Sequence, residues 1–320
     1  WNNTGTLLTY SAPTYSCFPC GSGNNLNANP QFRSLSDLKG ADEIFGTEDD
    51  GLILQGGSPC LDTGNNSFVP FGISEDITGR NRKLDGDHDQ SSVVDMGAYE
   101  TPRIWYVDCN VASSGDGKTW ATAKKTIQEG IHASQDGDVV LVADGTYTGG
   151  VYNGVYKDPN RNRDLDFEGR AITLQSQNGP GACIIDCEGG DSDPHRGFYF
   201  HSNEGPDSVV HGFTIQNGYV NNSLDHYPRC YGDGSGGAIA CGNYVSPSES
   251  ASPTITNCIF RNNYAHTYGG GVFCICSDAN IINSIFVANK AGSNGGGMYS
   301  KFQGNNKILN CTFIMNYAEY

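Results

Sequence analysis

The residues best placed to do chemistry are three aspartates at alternate positions, Asp85, Asp87 and Asp89, with Gly86 and His88 between them and Asp95 six residues further on. Alternating carboxylates on a tight glycine-containing loop bring hard oxygen donors to one point, the donor set that Ca2+ takes. The loop departs from the twelve-residue helix–loop–helix calcium site. Gln90 stands at the position of its sixth-place glycine and Met96 at that of its twelfth-place glutamate, so Asp95 or a backbone carbonyl has to complete the shell. The expected metal ligands are Asp85, Asp87, Asp89 and Asp95. Asp42, Glu43, Glu48, Asp49 and Asp50 form a second, sparser acidic group.

Catalytic constellations are harder to assemble. A sheet-borne lyase pairs an Arg or Lys base with acidic calcium ligands, and a hydrolase sets two carboxylates at a fixed separation. The outward positions of the repeat described below offer Arg261, Val287 and Ile314, then Tyr264, Lys290 and Tyr317. Asp191, Asp193, His195 and Arg196, like Asp225, His226 and Arg229, read as solvated loop charges. No catalytic residue is assigned. Cys17 and Cys20 have CxxC spacing without the second pair that a zinc site needs. Asn65 and Asn221 open glycosylation sequons that an Asn-rich chain also produces by chance.

What must position these residues is a repeat. Phe260, Phe286 and Phe313 stand 26 and 27 residues apart, each followed three residues later by an asparagine, Asn263, Asn289 and Asn316. Glycine triplets beginning at Gly269 and Gly295 recur in the same phase, and Gly236, Gly237, Ala238 and Ile239 are an earlier variant. A period in this range signals stacked units that cannot bury an apolar face alone. Cys258, Ser284 and Cys311 precede the phenylalanines by two and so share their strand face. The expected fold is all-β: a right-handed parallel β-helix with phenylalanines in one column and asparagines, tolerant of left-handed backbone, at one corner. Cys241 and Cys274 follow Ile239 and Val272 at matching offsets, which predicts adjacent rungs within reach of a disulfide bridge.

These GGA[ILV] and FxxN motifs resemble those of chlamydial polymorphic outer-membrane proteins and, more broadly, of pectin-lyase-like bacterial surface proteins. That resemblance implies the fold and leaves function open, since lyases, hydrolases, adhesins and spacers share it. Residues 36–103 carry a second pattern: Ser58, Pro59, Asp62 and Gly64, then Asp76, Gly79 and Arg80, then Val94 through Glu100. It resembles the choice-of-anchor Q module that follows β-helices in planctomycete-type extracellular proteins, and implies a small β-rich unit. From Ile104 a loop, a short helix over Lys125–Ser134, an apolar strand from Gly137 and a turn at Gly145–Tyr147 resemble the amino-terminal cap of a pectin-lyase-like helix. A cap of this kind covers the open edge of a first rung. The predicted organisation is therefore 1–35, terminal rungs of a preceding β-helix; 36–103, the anchor-Q-like module; and 104–320, a capped β-helix.

The chain has 320 residues, 43 glycines and a formal charge of −16. That charge argues against nucleic acid and anionic membrane surfaces as partners, and no apolar run is long enough for a membrane span. Twelve cysteines point to an oxidising compartment. Trp1 and Tyr320 fall mid-repeat, which predicts continuation in a longer chain or end-to-end self-association. The expected function is a non-catalytic structural or adhesive protein, extracellular or on the cell surface. The alternatives are a polysaccharide lyase or glycoside hydrolase, and a β-helix that binds extracellular glycans without turnover.

Overall fold

The computed structural model describes residues 28–40, 42–47, 49–89, 91–149, 159–222, 234–242, 250–302 and 304–319. Outside them lie residues 1–27, most of the 1–35 span expected as terminal rungs, with Cys17 and Cys20, together with Glu48, Ser223, Asp225, His226, Arg229 and most of the 244–252 insertion. Two compact units divide after Arg103.

The carboxy-terminal unit is built from parallel strands. The first sheet runs, in spatial order, Ile104–Val107, Val139–Val142, Thr173–Ser176, Val209–His211, Thr254–Thr256, Asn280–Ile282 and Lys307–Leu309. The second runs Gly145–Tyr147, Cys183–Asp186, Thr214–Gln216, Ile259–Arg261, Ile285–Val287 and Thr312–Ile314. A third, of two-residue strands, runs Tyr219–Val220, Tyr264–Ala265, Lys290–Ala291 and Tyr317–Ala318, and a fourth runs Phe198–Phe200, Ile239–Cys241, Val272–Ile275 and Met298–Lys301. From Thr254 onward the chain visits the four sheets in turn and returns to the first after 26 residues, at Asn280.

Register follows the repeat. Phe260 pairs with Phe286 and Phe286 with Phe313, their rings stacked at centroid separations of 4.6 and 4.5 Å. Phe260 and Phe286 are fully buried, whereas Phe313 is 46% exposed because no described rung covers its outer face. The asparagine ladder forms, but not through left-handed backbone at the ladder residues. That conformation belongs to the residue before each, Asn262, Ala288 and Met315, with φ of 57°, 54° and 54°. The ladder amides instead bond along the stack. Asn263 Nδ2 donates to Asn289 Oδ1 and Asn289 Nδ2 to Asn316 Oδ1, each at 2.9 Å. Each amide also donates to a carbonyl of the preceding rung: Ile215, Phe260 and Phe286 in turn. A buried corner thereby satisfies backbone groups that no strand partner reaches.

The glycine triplets are steric. Gly269 and Gly295 have φ of 63° and 69°. A Cβ on Gly270 would stand 2.4 Å from the Gly296 carbonyl oxygen, and one on Gly271 2.5 Å from that of Gly297. Rung-to-rung approach at this corner therefore excludes a side chain.

At the start of the unit the helix spans Ile127–Ala133, shorter than expected. Thr126 caps it in a capping box with Glu129, and Ile127 and Ile131 are buried against the first sheet. Gly145–Tyr147, expected as a turn, is a strand that carries the buried Tyr147. Val209–Ile215, expected as one strand, breaks at Gly212, whose φ is 82°. Cys241 and Cys274 stand in register on neighbouring strands, as the offsets predict; both are buried, and both are thiols rather than a bridge.

The described residues of the amino-terminal unit are not β-rich. Among its described residues it holds one 3-10 turn, Asn66–Phe68, and two isolated antiparallel bridges, Phe32 with Leu54 and Glu75 with Asn81. Its small core is Leu54, Cys60 and Leu61. Carboxylates take the place of strand partners here. Asp76 Oδ1 accepts from the backbone N–H of Thr78 and Arg80 at 2.8 and 2.9 Å, and its Oδ2 from that of Glu100 at 2.8 Å.

Candidate metal centre

Burial of Leu61 in the small core fixes the residue that follows it. Asp62 has φ of 48°, and its N–H donates to Asp95 Oδ1 at 2.9 Å. The aspartate loop comes up against it at Gly86, where a Cβ would stand 2.6 Å from the Thr101 carbonyl oxygen, so only glycine allows the approach. Asp87 N–H then donates to Asp62 Oδ2 at 2.9 Å. The result is that Asp62, Asp85 and Asp87 each place a carboxylate oxygen within 4.8 Å of the other two.

Two of the four expected ligands, Asp85 and Asp87, belong to this cluster; Asp89 and Asp95 do not. Asp89 is spent on the turn. Its N–H donates to Asp85 Oδ1 and Asp87 Oδ1, and its own Oδ1 accepts from Ser91 N–H at 2.7 Å. Asp95 is buried with both oxygens engaged, Oδ1 by Asp62 N–H and Oδ2 by Thr101 N–H, each at 2.9 Å. It supports the loop from below. The member of the cluster missed from sequence is Asp62, 23 residues before Asp85 in the chain and visible only as one letter of the Ser58–Gly64 pattern.

The electrostatics are those of a crowded acidic site. Burial, with Asp95, Asp87 and Asp85 close by, pushes Asp62 up to about 7 despite the hydrogen bond from Asp87 N–H. Its Oδ1 is buried without a hydrogen-bond partner. Burial likewise raises Asp95, and pushes Glu100 up to about 8 against the pull of the Asp95 N–H and the Arg82 guanidinium. Arg82 ion-pairs with Glu100, and Arg103 with Asp85, while Arg103 Nε also donates to the Asp85 carbonyl at 3.1 Å. Three carboxylates and one unfilled oxygen fit a hard divalent cation, with Arg103 already balancing part of the charge.

In the second acidic group Asp50 serves the backbone. Asp50 is fully buried and accepts from the N–H groups of Gly46 and Thr47 and from the Tyr99 hydroxyl, the first and last at 2.6 Å.

In the carboxy-terminal unit His195 and Arg196, expected as solvated, are each 3% exposed. His195 lies between two carboxylates: Nδ1 is 2.6 Å from Asp164 Oδ2, and Nε2 is 3.1 Å from Asp193 Oδ1. Arg196 N–H donates to Asp164 Oδ1 at 2.9 Å. Beside them Asp166, buried next to His201 at 3.2 Å, is held below the usual carboxylate range: burial pushes it up, and the His201 contact, the Glu168 N–H and the Arg161 charge together more than offset that. Asp164 and Asp166 flank the buried Leu165, which bridges to Phe198 of the fourth sheet. The sequence signal for them was the apolar–acidic alternation from Asp164 to Phe167. On the outer face of the second sheet the polar groups bond one another: Arg261 Nε donates to Gln216 Oε1, and Gln216 Nε2 to Asp186 Oδ2, each at 2.6 Å.

No protein-family model matches the chain, no curated protein is similar to it, and no solved structure resembles it at a significant level. The likenesses to polymorphic outer-membrane proteins and to the choice-of-anchor Q module rest on their motifs alone. Among the described residues no helix is long and apolar enough to cross a membrane.

Proposed function

We propose that this chain is a non-catalytic structural or adhesive segment of an extracellular or cell-surface protein, built as a right-handed parallel β-helix from Ile104 onward and carrying a Ca2+ site in the preceding module. The observation that carries the reading is the in-register column of Phe260, Phe286 and Phe313 beside the bonded asparagine ladder. Such a stack is a rigid spacer whose outward polar groups satisfy one another. Right-handed passage between parallel strands is the general rule for such connections. Asp62, Asp85 and Asp87 would hold the cation, which would supply charge neutralisation and cross-link the loop at Gly86 to the turn after Leu61. Accessible labelling of the protein on intact source cells, with no release of reducing ends from acidic or neutral glycans, is the expected result. Intracellular residence, or turnover of a polyuronate abolished by one point substitution, would overturn the reading.

The second reading is a polysaccharide lyase or glycoside hydrolase, favoured by the buried pair Asp164 and His195 with the exposed Asp193 on the other side of the imidazole. Under that reading His195→Ala abolishes turnover while leaving the circular dichroism spectrum unchanged. Glycan binding without turnover would point instead to a binding β-helix.

A further inference from the structure

Cys241 and Cys274 are the one pair of cysteines brought into register by neighbouring strands among the described residues. Both side chains belong to the interior cluster of the carboxy-terminal unit and are fully buried. The flanking pairs, Ile239 with Val272 and Ala240 with Phe273, fix that register on the same two strands. Neighbouring strands lie about 4.8 Å apart, inside the range of Cα separations that disulfides span. Other cysteines in the stack lack this relation. Cys258 and Cys311 share a column, but Ser284 stands between them, its Oγ accepting from Cys258 N–H at 3.2 Å. Cys276 follows the fourth-sheet strand at a corner with φ of 47°.

We propose that Cys241 and Cys274 form a reversible disulfide clasp between neighbouring rungs of the fourth sheet. In-register Cβ atoms on parallel strands stand about one strand spacing apart, wider than the ~3.8 Å of a relaxed disulfide. Closing the bond therefore pinches the two strands together, and a bond formed under such strain is reduced more readily than an ordinary structural disulfide. The chemistry balances with a small-molecule disulfide such as oxidised glutathione. The thiolate of one cysteine attacks a glutathione sulfur and releases one glutathione thiolate, which takes up a proton. The second cysteine then attacks the mixed disulfide and releases the other glutathione. Two protein thiols are oxidised and one disulfide is reduced to two thiols. In the reduced protein the Cys241 thiol is pushed well up by its hydrogen bond to Cys274 and by burial, so exchange waits on local opening of the strands. The clasp closes the chain between Cys241 and Cys274, which includes the strands Thr254–Thr256, Ile259–Arg261 and Tyr264–Ala265, so oxidation ties one rung to the next.

The test uses the full chain equilibrated in glutathione buffers from fully oxidised to fully reduced, quenched in acid, alkylated and mapped by mass spectrometry. The expected result is a linked peptide joining Cys241 to Cys274 that accumulates in oxidised buffer and disappears in reduced buffer. Amide exchange at Ile239–Cys241 and Val272–Ile275 is expected to slow in the oxidised form. Singly alkylated Cys241 and Cys274 in fully oxidised buffer would overturn the proposal, as would linkage of either to a different cysteine. A linked peptide that survives fully reduced glutathione would overturn its reversibility. None of these outcomes depends on where the protein resides, so the result is separable from the surface-protein reading.

Discussion

Replacing Phe286 by alanine tests the column directly. Its ring is fully buried and is the one phenylalanine of the three stacked on both sides, 4.6 Å from Phe260 and 4.5 Å from Phe313. Truncating a buried phenylalanine costs about 3–5 kcal/mol in transfer and cavity terms. Each lost aromatic pair adds roughly 0.5–1.5 kcal/mol beyond burial, part of which those measured truncations already contain. The expectation for Phe286→Ala is therefore the upper part of that range, about 4–5 kcal/mol. Phe313 supplies the internal control: 46% exposed and stacked on one side only, it should lose about 1–2 kcal/mol as alanine. Guanidinium unfolding of the full chain, followed by far-ultraviolet circular dichroism with the two variants side by side, reads the difference. Equal losses for the two variants, or less than about 1 kcal/mol for Phe286→Ala, would refute a continuous interior column.

Four further outcomes follow from the same geometry. Asn289→Ala should cost about 2–4 kcal/mol, because its amide serves Asn263, Phe260 and Asn316 at a fully buried corner, whereas Asn305→Ala, at an exposed position, should cost under about 1 kcal/mol; thermal melts separate the two. Gly297→Ala should destabilise by about 1–3 kcal/mol, since its Cβ would stand 2.8 Å from the Phe313 ring, and a double-mutant cycle with Phe313→Ala should show the losses to be less than additive. Calcium at a hundredfold excess over its Kd should stabilise the amino-terminal unit by about 2.7 kcal/mol; Asp62→Asn should remove that gain and Asp89→Asn should not, with calorimetry as the check. Glu100, raised in the folded state to about 8, contributes stability that is present below its unfolded value near 4.5 and is lost as pH rises toward 8, so in chelator the unit should melt lower at pH 8 than at pH 5, and Glu100→Gln should flatten that slope.

The stack was legible because its determinants are periodic. The recurrence of Phe260, Phe286 and Phe313, with glycine triplets in phase, specifies parallel in-register sheets without any knowledge of the remaining contacts. The amino-terminal unit gave up less. Its backbone is held by carboxylates at irregular spacings, so no period distinguishes Asp76 or Asp50, which bond turns, from Asp62, which faces other carboxylates. Asp89 and Asp95 stand outside the carboxylate cluster for the same reason: alternation in sequence says which aspartates are near, not which oxygens remain after the backbone has taken its share. His195 and Arg196 show the converse, charged residues on what reads as a polar loop that the fold buries beside Asp164, 31 residues earlier than His195.

Sequence by itself therefore determined the repeat, the inward identity of each column and the register that sets Cys241 beside Cys274, because a strand's two-residue alternation and a fixed turn length leave little freedom once an apolar column must be continuous. Tertiary structure alone decided which left-handed corner falls before each ladder asparagine and which three of the many aspartates converge. Those depend on backbone approaches of a few ångströms between segments far apart in the chain, at Gly86 against Thr101 and at Gly270 against Gly296, and such approaches leave no spacing for a sequence to display.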